Sequence, residues 1–574
     1  MNRKHIQAAA GETSADLVIK NGQIIDVFNL KIISGDVAIA DGRIVGIGGN
    51  YDGTKILDAR GRYIAPGLID AHVHIESSMT TPSQFAKAVL PHGVTTVVTD
   101  PHEIANVSGK SGIQFILDDS ENIPLDVRVM LPSCVPATPF ESSGAVLTAG
   151  DLRPFYNHPR VLGLAEVMDF PSVKTCAPDM YAKLADASAR KKTIDGHGAG
   201  LDNIGLNIYR AAGILTDHEV TTADEALERI RRGFYVQIRE GSAAKNLKAV
   251  LPAVTARNCH RFLLCTDDKH LDELIDEGSI DESIRIAVRL GLDPVIGIMM
   301  GSINTAQCYG MHAKGAIAPG YDADFLLLDH LEDFQISEVY VKGQQVAKQG
   351  VYTGPKLRPH LNVSNLKNSV KLPTITAAHL QIPIDNEVAN VIGIIPNSIV
   401  TDHLTLRVTT EDGLFVPNLE LDHLKLAVIE RHMMTGNVGV GIVQGFGIKR
   451  GAVAATIAHD SHNLMVTGTN DRDMLVAIQA VEKIQGGIVI VDKGAVIASL
   501  PLPIGGLMSD APLPEISAGI RNLGKALTSI GFQGNFDFLL TLAFLSLPVI
   551  PTLKLTQSGL FDVTRFEGIE VSKS

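Results

Sequence analysis

Short apolar runs, each closed by a polar cluster and separated by stretches of helical spacing, set the pattern of the first half of the chain. The first run, Tyr63 to Ile69, ends in Asp70-Ala71-His72-Val73-His74. Others end in Asp100-Pro101-His102-Glu103, Pro132-Ser133, Glu166, Gly196-His197, Asp217-His218-Glu219, Arg239-Glu240 and Thr266-Asp267-Asp268. Continuous apolar runs of this length are the mark of strands buried on both faces. Helical stretches such as Ala223 to Arg232 and Leu271 to Gly278 fall between them. Strands alternating with helices over residues 65–311 predict an α/β fold, a (β/α)8 TIM-like barrel, with an open sheet as the structural alternative.

The flanks read differently. Residues 1–64 carry β-prone segments around Asn21-Gly22 and Asp41-Gly42, both hairpin signals. A similar texture returns at Asp322 to Asp329 and Val339 to Gly343, so 1–64 and 312–360 are expected to pair into one small composite β-domain. Residues 372–574 predict a separate C-terminal α+β domain. Its strands include Leu404 to Val408 and Val438 to Val443. Its helix Asp471 to Ile484 has apolar Leu475, Ile478, Val481 and Ile484 along one side. The apolar segment Phe536 to Ile550 is shorter than the roughly 17–25 residues of a membrane span and reads as a core helix.

Composition narrows the function classes. A net charge of −13 disfavours a general nucleic-acid or anionic-membrane binder and leaves small molecules as the natural partners. The five cysteines have no C-x-x-C spacing. They read as reduced thiols, and with no apolar leader at the start a cytoplasmic location is expected.

The chemistry lies in the polar ends. Side chains alternate along a strand, so His72 and His74 share a face and one metal ion. A single such pair is as compatible with a packed core as with a ligand site, but the series is not. If the strand ends converge, His72, His74, Glu166, His197, His218 and Asp267 supply four imidazoles and two carboxylates. Nitrogen and oxygen donors without thiolate suit Zn, Mn or Fe(II), and a shared Glu would hold a pair of ions.

The stretches Pro66 to His74 and Gly315 to Asp324 resemble the amidohydrolase superfamily. Asp100 to Val107, Cys265 to Asp268 and His459-Asp460-Ser461-His462-Asn463 resemble its adenine deaminase family, and the likeness spans essentially the whole chain. It implies that His72 and His74 bind a first metal, Glu166 bridges, His197 and His218 bind a second, and Asp267 completes the first. Many superfamily members carry a carboxylated lysine at the end of the fourth strand. Glu166 stands there, which weakens a dihydroorotase or hydantoinase reading.

The implied reaction is hydrolytic deamination of adenine to hypoxanthine and ammonia, in purine salvage or catabolism. Metal-activated hydroxide would attack C6 while Asp267 shuttles the proton, and Glu240, Glu103 or Asp268 would protonate the ring. His102, Glu103, Arg239 and Glu240 are candidate purine contacts. Asp460 and His462, with His459, join them if the C-terminal domain closes the barrel mouth. The expected cofactor is a binuclear divalent centre, Mn or Fe(II) ahead of Zn, in a homo-oligomer, dimer or higher. Another amidohydrolase, acting on a cyclic amide or a different aminated heterocycle, is the alternative, and a non-catalytic binding protein is the second.

Overall fold

The run Tyr63 to Ile69 becomes two strands in different sheets. In the computed structural model, which describes residues 2–357 and 363–573, Tyr63–Pro66 joins the small flanking sheet. Leu68–Val73, after the switch at Gly67, begins the central one. A Cβ on Gly67 would lie 2.3 Å from Thr95 Oγ1, so the crossing requires glycine.

Eight strands follow in parallel: β1 Leu68–Val73, β2 Val94–Thr99, β3 Asp126–Leu131, β4 Val161–Val167, β5 Thr193–Gly196, β6 Thr216–Asp217, β7 Tyr235–Arg239 and β8 Phe262–Cys265. They are laddered as a five-stranded sheet, β1 to β5, and a three-stranded sheet, β6 to β8. Between the two sheets, Leu215 N–H donates to Ile194 O at 2.8 Å, and Asp267 N–H donates to His72 O at 2.9 Å. The arrangement is TIM-barrel-like. The apolar runs fill its core because both strand faces are covered, one by facing strands and one by helices. The helix Ala223–Arg231 shows the local logic: Thr222 and Glu225 form a capping box at its start.

The flanking sheet is composite. Phe325–His330 pairs antiparallel with Tyr63–Pro66 and with Gln335–Val341, joining the segments before and after the barrel-like region. Asp41-Gly42 is the two-residue turn between Lys31–Ala40 and Arg43–Ile47. Asn21-Gly22 is not a hairpin. It lies inside the single strand Ala15–Asp26 as an irregularity in the pairing, because the left-handed backbone of Asn21 serves a bulge as well as a turn. Residue 360, the expected end of the returning segment, is outside the described residues.

The C-terminal part builds an eight-stranded sheet with Thr401–Arg407 at one edge and Ala495–Pro501 at the other. The helix Asp471–Ile484 packs on one face, burying Met474, Ala477, Ile478 and Val481. That buried stripe is turned from the expected one: Leu475 and Ile484 are only partly covered. The opposite face shares one core with Met79, Ala88 and Leu271 of the barrel-like region, so the separate C-terminal sheet is seated on it through continuous apolar packing. Phe538–Phe544, from the long apolar segment, is a helix in that core. Among the described residues no helix is long and apolar enough to cross a membrane.

Candidate metal centre and active site

The carboxyl ends of the eight strands gather all six proposed ligands. His72 ends on the same side of β1 as His74, with their Nε2 atoms 3.2 Å apart. Glu166, at the end of β4, lies between two pairs of imidazoles. Its Oε1 is 3.6 Å from His72 Nε2 and 3.4 Å from His74 Nε2. Its Oε2 is 2.7 Å from His197 Nδ1 and 3.3 Å from His218 Nε2. Asp267 Oδ1 faces the first pair, 3.5 Å from His72 and 3.1 Å from His74. All are buried but His197, which is partly covered.

The donor set fits a divalent cation, and the cluster is a buried divalent-metal site. His74 Nδ1 lies 3.0 Å from the carbonyl oxygen of Asp100, which can only accept, so its proton is on Nδ1 and its Nε2 lone pair points into the cluster. Burial pushes Glu166 up, but the imidazoles of His197, His218 and His74 around it outweigh that and hold the carboxyl well below its ordinary range. Asp267 is likewise pushed up by burial and held well below its ordinary range, chiefly by His72 and His74. Its backbone φ of +59° is in the left-handed region, a conformation that aspartate tolerates better than most residues and that clusters at functional sites.

Around the cluster, Arg239 at the end of β7 is fully engaged. It pairs with both oxygens of Glu219 and, at 3.1 Å, with Asp267 Oδ2. Its guanidinium therefore orients Asp267 and is not free for a ring. Glu240 is not brought to the cavity: it follows Arg239 on the strand, faces the other way and accepts from Leu247 N–H at 3.3 Å. Asp268 is at the cavity wall, where Ser77 Oγ donates to its Oδ1. Glu219 was missed in the sequence, although an acid directly after a ligating histidine at a strand end was a usable signal. Asp217 fixes that loop, accepting from Gly198 N–H at 3.0 Å and Glu219 N–H at 2.9 Å while paired with Arg229 at 2.9 Å.

The C-terminal region supplies the other wall. His459 Nδ1 donates to Glu103 Oε1 at 2.7 Å, and His462 Nε2 donates to Glu103 Oε2. Glu103 and His462 are thus joined to each other, and Glu103 still lines the cavity beside His102, 3.3 Å from its Nε2. Burial opposes charge on both imidazoles, yet Glu103 pushes His459 up to about 9 while His462 stays lowered. Asp460 lines the cavity, 3.8 Å from His102 Nε2, and its Oδ2 has no hydrogen-bond partner among the described residues. His102 in turn leans on Asp100, 3.0 Å away. Phe544, stacked on His459 at 4.3 Å, joins Ile399, Leu547 and Ile550 in an apolar roof. Larger surface hollows lie around Arg128 and Lys314, away from all six ligands, so size alone does not mark the site.

Comparison with known proteins agrees along the chain. A family model described as "Amidohydrolase family" matches residues 63–346, and one described as "Adenine deaminase C-terminal domain" matches 398–567. A protein of Geobacillus kaustophilus named adenine deaminase is 54% identical over 568 residues, 99% of this chain and 98% of its own length. One of Bacillus subtilis with the same name is 51% identical over 574 residues, 99% and 98% of the two lengths. Among solved structures, a β-aspartyl dipeptidase of Fervidobacterium islandicum AW-1 matches 60% of this chain and all of its own, at 19% identity and a TM-score of 0.46.

Proposed function

The chain belongs to the adenine deaminase family of the amidohydrolase superfamily, and from that premise we propose that it hydrolyses adenine to hypoxanthine and ammonia at a binuclear divalent centre within a closed (β/α)8 barrel. The observation that carries the reading is the division of Glu166: one oxygen serves His72 and His74, the other His197 and His218. A carboxylate divided in this way would be shared by two ions, with His72, His74, His197, His218 and Asp267 holding them. The nitrogen and oxygen donors favour Mn or Fe(II), with Zn next.

These residues would hold a divalent pair, which would make hydroxide available near neutral pH. The rest falls to side chains. Asp267, oriented by Arg239, takes the proton of the attacking water and returns one to the leaving amine. Asp268, held at the wall by Ser77, protonates the ring nitrogen, a role for which Glu240 is turned away. The unpartnered oxygen of Asp460 accepts from the purine edge, with His102 beside it, while the roof excludes bulk water and strengthens charge stabilisation.

The domain limits 1–64, 65–311, 312–360 and 372–574 belong to the same proposal, with the last domain part of the catalytic unit. So do a cytoplasmic setting, supported by five free cysteines, and a homo-oligomer, dimer or higher. The test is ammonia release by metal-reconstituted protein from adenine, adenosine, guanine and cytosine, with dihydropyrimidines alongside. Adenine is expected to be the preferred substrate; turnover of dihydropyrimidines and none of the bases would overturn the reading.

A further inference from the structure

Lys554 is fully buried on the strand Leu553–Thr556, where an apolar residue would be expected. Its Nζ donates to Ile399 O at 2.8 Å and to Phe544 O at 3.0 Å. Those carbonyls belong to residues whose side chains roof the cavity, and Phe544 is also the ring stacked on His459. Phe544 ends its helix, where carbonyls lack intrahelical partners and a cation is favoured. Burial is the sole cause that pushes the ammonium down, to about 7, with no carboxylate to offset it. An amine donor buried at that cost has a geometric task, because packing alone would be served by leucine or methionine.

We infer that Lys554 is a positioning residue that ties two separate segments, around Ile399 and Phe544, into one rigid roof and so sets its height above the bound ring. The inference rests on the deaminase reading. A roof fixed at two backbone points admits a flat, unsubstituted purine and resists a group added to it. Released from Lys554, the Phe544 carbonyl keeps only a 3.4 Å bond from Leu547 N–H, although the backbone on either side stays tied by His459 N–H to Ala543 O at 3.0 Å and Leu555 N–H to Leu545 O at 2.9 Å. The roof then rises, weakening adenine binding and relaxing the exclusion of bulkier rings, while the metal ligands stay as they are.

The experiment compares wild type, Lys554→Met and Phe544→Leu, each checked for folding and metal content, with adenine and 9-methyladenine as probes. Lys554→Met is expected to keep wild-type metal content, raise KM for adenine about tenfold with kcat within about threefold, and lower the preference for adenine over 9-methyladenine. Phe544→Leu, which removes the ring but leaves the cation, should shift KM the same way. A folded Lys554→Met with KM and preference within twofold of wild type would overturn the inference, as would a loss of metal matching the loss of rate. Should Lys554→Met not fold, Lys554→Arg carries the same test, since it keeps the charge and displaces the donors; an unchanged KM and preference would overturn the inference. Wild type inert toward adenine would instead refute the deaminase reading.

Discussion

Two buried carboxylates, Glu166 and Glu103, each lie between histidines at the mouth of the strands, and they do opposite things. Both are buried, and both have imidazole nitrogens in hydrogen-bond range. The difference is on the far side of the rings. His74 gives its Nδ1 proton to the Asp100 carbonyl, so Nε2 is bare and metal-directed. His462 Nδ1 receives the backbone N–H of Ala458 at 3.1 Å, so the proton is on Nε2 and goes to Glu103. On the proposed reading one cluster is a ligand set, and the other is a proton-sharing clasp between the barrel-like region and the C-terminal sheet. Residue type does not separate His74 from His462; the backbone atom behind the ring does.

Breaking the ligand side should have the largest effect. His72→Ala or His197→Ala is expected to lower metal content, measured by elemental analysis, and to cut kcat/KM by about three orders of magnitude or more, the several kcal/mol that a metal-activated nucleophile supplies. Asp267→Asn comes next, with a loss of about 10²–10⁴ in kcat in a protein of near-normal abundance, the range for a lost general acid–base group. Unchanged turnover would remove Asp267 from proton transfer.

On the clasp side, Glu103→Gln should cost about 1–3 kcal/mol in stability through weakened charge-assisted hydrogen bonds, read by thermal or denaturant unfolding, with metal content unchanged. The smallest effect is expected at Glu240→Gln. Its carboxyl faces away from the cavity, and kcat and KM for adenine should stay within about twofold.

Those contrasts also mark what the sequence could and could not reveal. The central strands were legible because buried parallel strands are continuous apolar runs, and their polar ends carried all six proposed ligands, which the fold brings together. Arg239 and Glu240 could not both face the cavity, and strand alternation alone, applied consistently, would have separated them. Asn21-Gly22 misled because a left-handed residue marks a bulge as readily as a turn. Tyr63 to Ile69 read as one strand because a change of sheet at Gly67 leaves the hydrophobic pattern unbroken. The contact of His462 with Glu103 was beyond reach, since it depends on Ala458 N–H meeting one particular ring nitrogen across a folded loop.

The most direct measurement is the metal content per chain of wild type, Glu166→Gln and Glu103→Gln, each purified and reconstituted identically and confirmed folded. The account predicts a pair of ions in wild type and in Glu103→Gln, and loss of metal in Glu166→Gln. Full occupancy in Glu166→Gln, or equal loss in the two variants, would contradict it.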